Sequence, residues 1–200
     1  MTAPQIPGAP AKVPATAAPA LRLTARPVAL MAHFEGIVPE TYLDGHNIWT
    51  AFMGVAATSG VDVLQYKDKP QPIDVCLRVS IELLERQYLP TVAKVFAGHV
   101  LTENQLAAWL SFLWRNGHLA GVECVRDFLG GQMKSAAVTW MNWTDHGAEE
   151  ERAGIERDLC FKGIWPDLAV PVSRVLKPSY KPHFDHDIDV MPILRSIMGA

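Results

Sequence analysis

The stretch FEGIVPETYLDGHNIWTAF, residues 34–52, decides how the rest of the chain is read. Just ahead of it, Pro27 suits the first turn of a helix, and Val28, Leu30, Met31 and Phe34 supply an apolar side, so a short helix is predicted to end near Gly36. Within the stretch the texture changes. Tyr42-Leu43-Asp44, then Gly45-His46-Asn47, then Ile48 to Phe52 reads as strand, turn, strand. Two acidic residues stand in contrasting places: Glu35 in an apolar setting between Phe34 and Gly36, Asp44 beside a wetter, glycine-containing turn. One setting suits a carboxyl group that gives a proton, the other a carboxylate that takes one.

Working outward, Gly60 and the alternation Val61-Asp62-Val63 predict a further short strand, followed by a polar loop from Lys67 to Gln71. Ile73, Leu77, Ile81, Leu84 and Tyr88 then recur at three- and four-residue steps, giving a long helical segment that Pro90 kinks or breaks. Thr102 and Gln105 have the spacing of a capping box, opening a helix through Leu106, Trp109, Leu110 and Leu113 that closes at Gly117. Further helices are expected over 122–129, 132–143 and 148–162, the last ended by Gly163. The expected fold class is therefore α+β, a small β-hairpin lobe plus a larger, mainly helical lobe with a cleft between.

Hydrophobic residues make up 49% of the 200 and charged residues 20%, which suits one ordinary globular core with extensions. Residues 1–25 are Ala/Pro-rich and read as a flexible leader, 26–165 as the folded domain, and 166–200 as a Pro-containing C-terminal extension. A net charge of −3 gives no basic face for nucleic acid, so no nucleic-acid partner is expected. No apolar run is long enough to cross a bilayer, and the prolines of the leader interrupt any signal-peptide core. Cys76, Cys124 and Cys160 lie in apolar-periodic stretches and form no C-x-x-C pair, so buried free thiols in a reducing compartment are expected. The run His183-Phe184-Asp185-His186-Asp187-Ile188-Asp189 has metal-ligating residue types but no metal-site spacing, and reads as a solvated acidic segment.

Hydrolysis of a glycosidic bond with inversion needs an acid and a base held roughly 6.5–9.5 Å apart, so that a water fits between the base and the sugar. Glu35 and Asp44 suit that division of labour, and Thr50 offers a hydroxyl to hold the water. The segment Phe34-Glu35-Gly36, Tyr42-Leu43-Asp44, Ile48-Trp49-Thr50 resembles the active-site segment of the phage-type lysozymes (endolysins, glycoside hydrolase family 24), with the same Glu-to-Asp and Asp-to-Thr spacings. Leu101 to Ala108, Ser111-Phe112-Leu113-Trp114 and Gly117 resemble a second family helix, and Arg152, Glu156, Leu159, Cys160 and Gly163 a third, so the likeness runs over about 27–165.

The resemblance implies Glu35 as general acid, Asp44 as general base and Thr50 as the water-positioning residue. It also implies Trp114 as a substrate-binding aromatic and Arg152 as a residue that orients the acid. The implied reaction is muramidase cleavage of the β-1,4 bond between N-acetylmuramic acid and N-acetylglucosamine, without a cofactor or metal. The partner would be a peptidoglycan glycan strand, met after holin-dependent release from the host cytoplasm by a monomer that makes no stable membrane insertion. Phe52 and Val55 depart from the family, which has glycine and histidine there, and Arg115 stands where the family has asparagine. A bulky Phe52 near the cleft would narrow it or alter which sugars fit. Two alternatives stay open: a lysozyme-fold virion structural or peptidoglycan-binding protein with weak or no turnover, favoured by the Pro-rich leader, the 35-residue tail and the altered loop after Thr50, and an enzyme acting on another polymer such as chitin.

Overall fold

A computed structural model describes residues 21–144 and 147–199. The described chain divides into two compact units. One combines residues 24–86 with 168–199, and the other holds Gln87–Asp167. We call them the sheet unit and the helical unit.

The sheet unit begins with helix α1, Ala25–Glu35, whose Val28, Ala29, Leu30, Met31 and Ala32 are wholly buried. Strands β1 (Val38–Leu43), β2 (Trp49–Phe52) and β3 (Val55–Ala56) form an antiparallel sheet in that order. The expected strand at 61–63 is absent. Val63–Tyr66 is a 3₁₀ turn, and the third strand lies earlier, where Val55 and Ala56 pair with Ala51 and Thr50. Two residues carry no alternation of their own, so only their cross-strand partners define them as a strand.

Helix α2 runs from Ile73 to Leu83, with Cys76, Leu77, Ser80, Ile81 and Leu83 buried. A π turn, Leu84–Tyr88, then gives way to helix α3, Leu89–Val95, with Pro90 in its first turn. The proline thus opens a helix, where its missing N–H costs nothing. Residues 170–198, read from sequence within an extension, form an antiparallel hairpin, β4 (Val170–Leu176) and β5 (Lys181–Ile188), and helix α8 (Met191–Met198). Val170, Val172, Val190 and Leu194 are buried there, and Ile37 bridges Val172, with its N–H donating to Pro171 and its carbonyl accepting from Ser173. These residues complete the core around α1.

The helical unit contains α3, α4 (Glu103–Asn116), α5 (Glu123–Leu129), α6 (Met133–Trp140) and α7 (Ala148–Lys162). The Thr102 capping box is formed with both of its hydrogen bonds, and Gly117 and Gly163 close α4 and α7 in the left-handed conformation that glycine adopts without strain. The core is aromatic. Trp109 packs on Trp140 at 4.4 Å between ring centroids and on Phe96, Phe112 and Phe128 at 5.0–5.7 Å. Cys76, Cys124 and Cys160 are buried and unbridged, and burial pushes the thiols of Cys76 and Cys124 up to about 12.

Candidate active site

Glu35 is the last residue of α1 and is half-buried. The helix stops there because Gly36 turns to φ 69°, its N–H still closing onto the Ala32 carbonyl at 2.8 Å. A Cβ at Gly36 would stand 3.1 Å from the Pro171 carbonyl oxygen, so this position needs glycine on two counts, conformation and space. His33, on the preceding turn, donates from Nδ1 to the Ala169 carbonyl at 2.7 Å and ties the end of α1 to the start of β4.

The chain then passes through an irregularity in β1, where the register with β2 shifts between Val38 and Tyr42, before Tyr42 pairs opposite Thr50 and Leu43 opposite Trp49. Such a bulge re-aims the residues beyond it. Asp44 follows at the mouth of the hairpin. Its Oδ1 accepts from the N–H groups of both His46 and Ile48 at 2.8 Å, an Asx turn that organises the loop. Asn47 takes the left-handed conformation, φ 60°, and donates from its N–H to the Asp44 carbonyl. The aspartate that the sequence singled out for proton transfer therefore also shapes the turn that carries it.

Tyr42, near the end of β1, is buried. Its phenol is driven well above its ordinary range, first by burial and then by the negative charges of Glu35 and Asp44. Thr50, directly across the ladder from Tyr42, is 2% exposed, and its hydroxyl donates to the Ile48 carbonyl at 3.1 Å. Glu35, at the end of α1, Asp44, at the mouth of the hairpin, and Thr50, opposite Tyr42 in the ladder, all belong to the sheet unit.

The departures after Thr50 lie in the core of the same unit. Phe52 adopts φ 58°, a conformation that bulky side chains rarely take, and its fully buried ring packs on Tyr66 at 4.7 Å. Its bulk is therefore spent in the core, and the expectation that it narrows a cleft is corrected. Val55 is also fully buried. A left-handed backbone explains why glycine suits position 52, and the Tyr66 contact explains what a phenylalanine gains there.

Trp114 and Arg152 belong to the helical unit. Trp114, half-buried, stacks on Tyr88 with centroids 4.6 Å apart and planes 29° from parallel. Arg152 Nε donates to Glu156 Oε1 at 3.1 Å, and its Nη2 to the Ser111 hydroxyl at 3.0 Å. Arg115 Nη2 reaches Glu156 Oε2 at 2.9 Å, and Ser111 donates to Oε1 at 2.7 Å. Glu156, fully buried, is thus satisfied by two guanidiniums and a hydroxyl. In the sequence Arg115 shows only as a replacement of the family's asparagine, with nothing to mark this role. Only the spacing of Arg152 and Glu156, one helical turn apart, hinted at it.

Among the described residues no group of three or more His, Cys, Asp or Glu side chains is arranged to hold a metal ion, and the residues 183–189 lie on β5 and just beyond it. No described helix is long and apolar enough to cross a membrane.

A family model described as phage lysozyme matches residues 32–157. No curated protein matches the chain. Among solved structures, an endolysin from Escherichia coli O157:H7 phage FAHEc1 is similar at 17% identity, over 75% of this chain and 99% of that one, with a TM-score of 0.60. A mutant of the P22 lysozyme is similar at 21% identity over 70% and 97%, TM-score 0.57. The muramidase domain of SpmX from Asticaccaulis excentricus is similar at 19% identity over 70% and 97%, TM-score 0.57. At these identities the structures speak to the fold, which is α+β and lysozyme-like.

Proposed function

The chain belongs to the phage lysozyme family, and from that premise we propose that it is an endolysin-type muramidase cutting the β-1,4 bond between N-acetylmuramic acid and N-acetylglucosamine by an inverting mechanism. The observation that supports the reading is the placement of Glu35 at the end of α1, Asp44 in the Asx turn at the mouth of the β1–β2 hairpin, and Thr50 six residues on in β2, opposite Tyr42. Glu35 gives its proton to the leaving glycosidic oxygen as the bond to the sugar carbon breaks. A water attacks that carbon from the opposite face and yields its proton to Asp44. Because Asp44 Oδ1 already accepts from two amides, Oδ2 is the oxygen that takes the proton. The Thr50 hydroxyl donates a hydrogen bond to the Ile48 carbonyl, so toward the water its oxygen acts as acceptor and turns a lone pair of the water to the sugar. Solvent then returns a proton to Glu35 and removes one from Asp44.

Trp114, stacked on Tyr88, and Arg152, held by Glu156, keep in this reading only the substrate-binding and acid-orienting parts that the family resemblance implies for them. The chemistry uses only protons and water, so no cofactor enters it. The protein gathers in the host cytoplasm and meets peptidoglycan after a holin opens the membrane.

The test is lysis of outer-membrane-permeabilised cells by wild type beside Glu35→Gln. Loss of clearing by a folded variant supports the assignment, and retained clearing rejects it. The altered segment after Thr50, where Val55 replaces the family's histidine and leaves no imidazole, favours a second reading, a virion or wall-binding protein with weak or no turnover. Wild type that sediments with peptidoglycan but releases no reducing ends would establish it.

A further inference from the structure

The tip of the β4–β5 hairpin, outside the family match, is fastened to the turn that carries Asp44. The Leu43 N–H donates to the Tyr180 carbonyl at 2.7 Å. Lys181 Nζ donates to the Asp44 carbonyl at 2.7 Å and to Asn47 Oδ1 at 2.9 Å. The Trp49 ring meets Tyr180 edge-on at 5.2 Å, and Lys67 lies over both rings at 4.7 and 4.5 Å. On the far side of the tip, Lys177 is bound to Glu40 at 2.9 Å and to Asp68 at 2.5 Å, and the Tyr180 hydroxyl donates to Asp68. The tip is therefore itself held in place before it reaches the turn.

We propose that Lys181 is a positioning residue for the reaction: its ammonium clasps the first and fourth residues of the 44–47 turn and so holds the Asp44 carboxylate where it can take a proton from water. The inference rests on the hydrolase reading above. The physical reason is the double use of Asp44. Its Oδ1 is aimed by the His46 and Ile48 amides, and those amides point correctly only while the turn keeps its shape. The turn contains a left-handed, non-glycine residue, Asn47, so it has a looser alternative to relax into. Lys181 opposes that relaxation by fixing the Asn47 side chain and the Asp44 carbonyl to one charge. Removing the ammonium leaves two acceptors near solvent that water can satisfy, so the fold survives while the carboxylate loses its aim.

The experiment compares the full chain with Lys181→Met, which keeps the length of the side chain but no donor, and Lys181→Arg, which keeps two or more. Measured are kcat and KM on solubilised peptidoglycan glycan, thermal midpoint, and hydrogen exchange at the His46 and Ile48 amides. For Lys181→Met the expectation is a fall in kcat of about 10- to 100-fold with KM little changed, as sub-ångström misplacement produces. Exchange at the two amides should quicken, and Lys181→Arg should recover most of both. Unchanged kcat and exchange in Lys181→Met, or an arginine variant as impaired as the methionine one, would overturn the proposal. If wild type shows no turnover the hydrolase reading fails on its own account. The exchange comparison still decides whether Lys181 holds the turn, quicker exchange supporting it and unchanged exchange refuting it.

Discussion

Replacing Asp44 by Asn and by Ala separates its two jobs. Asparagine keeps an oxygen that can accept from the His46 and Ile48 N–H groups, now 2.8 Å from Oδ1, and loses only the negative charge. Alanine loses the charge and both hydrogen bonds. The His46 amide is exposed, so water replaces its partner at small cost, whereas the Ile48 amide is partly buried and gives up more. Hydrogen bonds to charged groups contribute about 1.5–3 kcal/mol each when shielded, so after allowing for exposure Asp44→Ala should lose about 2 kcal/mol and Asp44→Asn less than about 1. In a chain of this size that is about 4–8 °C in thermal midpoint for alanine and about 3 °C or less for asparagine. Catalysis should not distinguish them: loss of the general base should slow turnover about 10²–10⁴-fold in both. The assays are thermal unfolding followed by circular dichroism and release of reducing ends from purified peptidoglycan. Asparagine within tenfold of wild-type turnover would refute the assignment of base, and alanine with an unshifted midpoint would refute the part given to the Asx turn.

At position 52 the usual order of alanine and glycine should reverse. Phe52→Ala empties a core site at a cost of about 3–5 kcal/mol, but Phe52→Gly, freed of the strain at φ 58°, should be at least as stable in urea; alanine ahead by a kilocalorie or more would contradict this. Glu156→Gln removes the carboxylate shared by Arg115 and Arg152 and should cost about 3–5 kcal/mol, read as a lowered urea midpoint, because the nearly buried Arg115 guanidinium loses the buried carboxylate it is paired with. The thiols of Cys76 and Cys124 hold their protons to about pH 12 when folded, against an ordinary value of 9.0, so their contribution to stability is whole below about pH 9 and lost as pH climbs toward 12. Each should steepen the alkaline fall in stability by up to about 1.4 kcal/mol per pH unit, and Cys124→Ala should flatten it in urea titrations at rising pH.

The local features came through because neighbours along the chain create them. The end of α1 at Gly36, the Asp44 turn, the Thr102–Gln105 capping box and the bounds of α7 each depend on residues within a turn or two of one another. A periodic apolar face or a carboxylate two residues from an amide needs no distant partner. The segment 61–63 misled because alternation over three residues does not by itself commit a chain to pairing, and the 3₁₀ turn there is instead tied down when the Thr41 hydroxyl donates to the Val63 carbonyl.

What the sequence by itself determined is which residue types stand at which spacing: an acid closing a helix, a second acid opening a hairpin, a hydroxyl six residues on, and the family to which that order belongs. Tertiary structure alone decided that β5, whose HFDHD core carries no hydrophobic alternation, would still be a strand, since its hydrogen bonds come from β4 and β4 is anchored through Val170, Val172 and Ile37. It decided as well that Lys181, 137 positions from Asp44, would hold that residue's turn. The reason is physical: helix periods, caps and Asx turns are satisfied within a few residues, whereas strand pairing, ion pairs and buried rings take their energy from partners the chain meets only on folding.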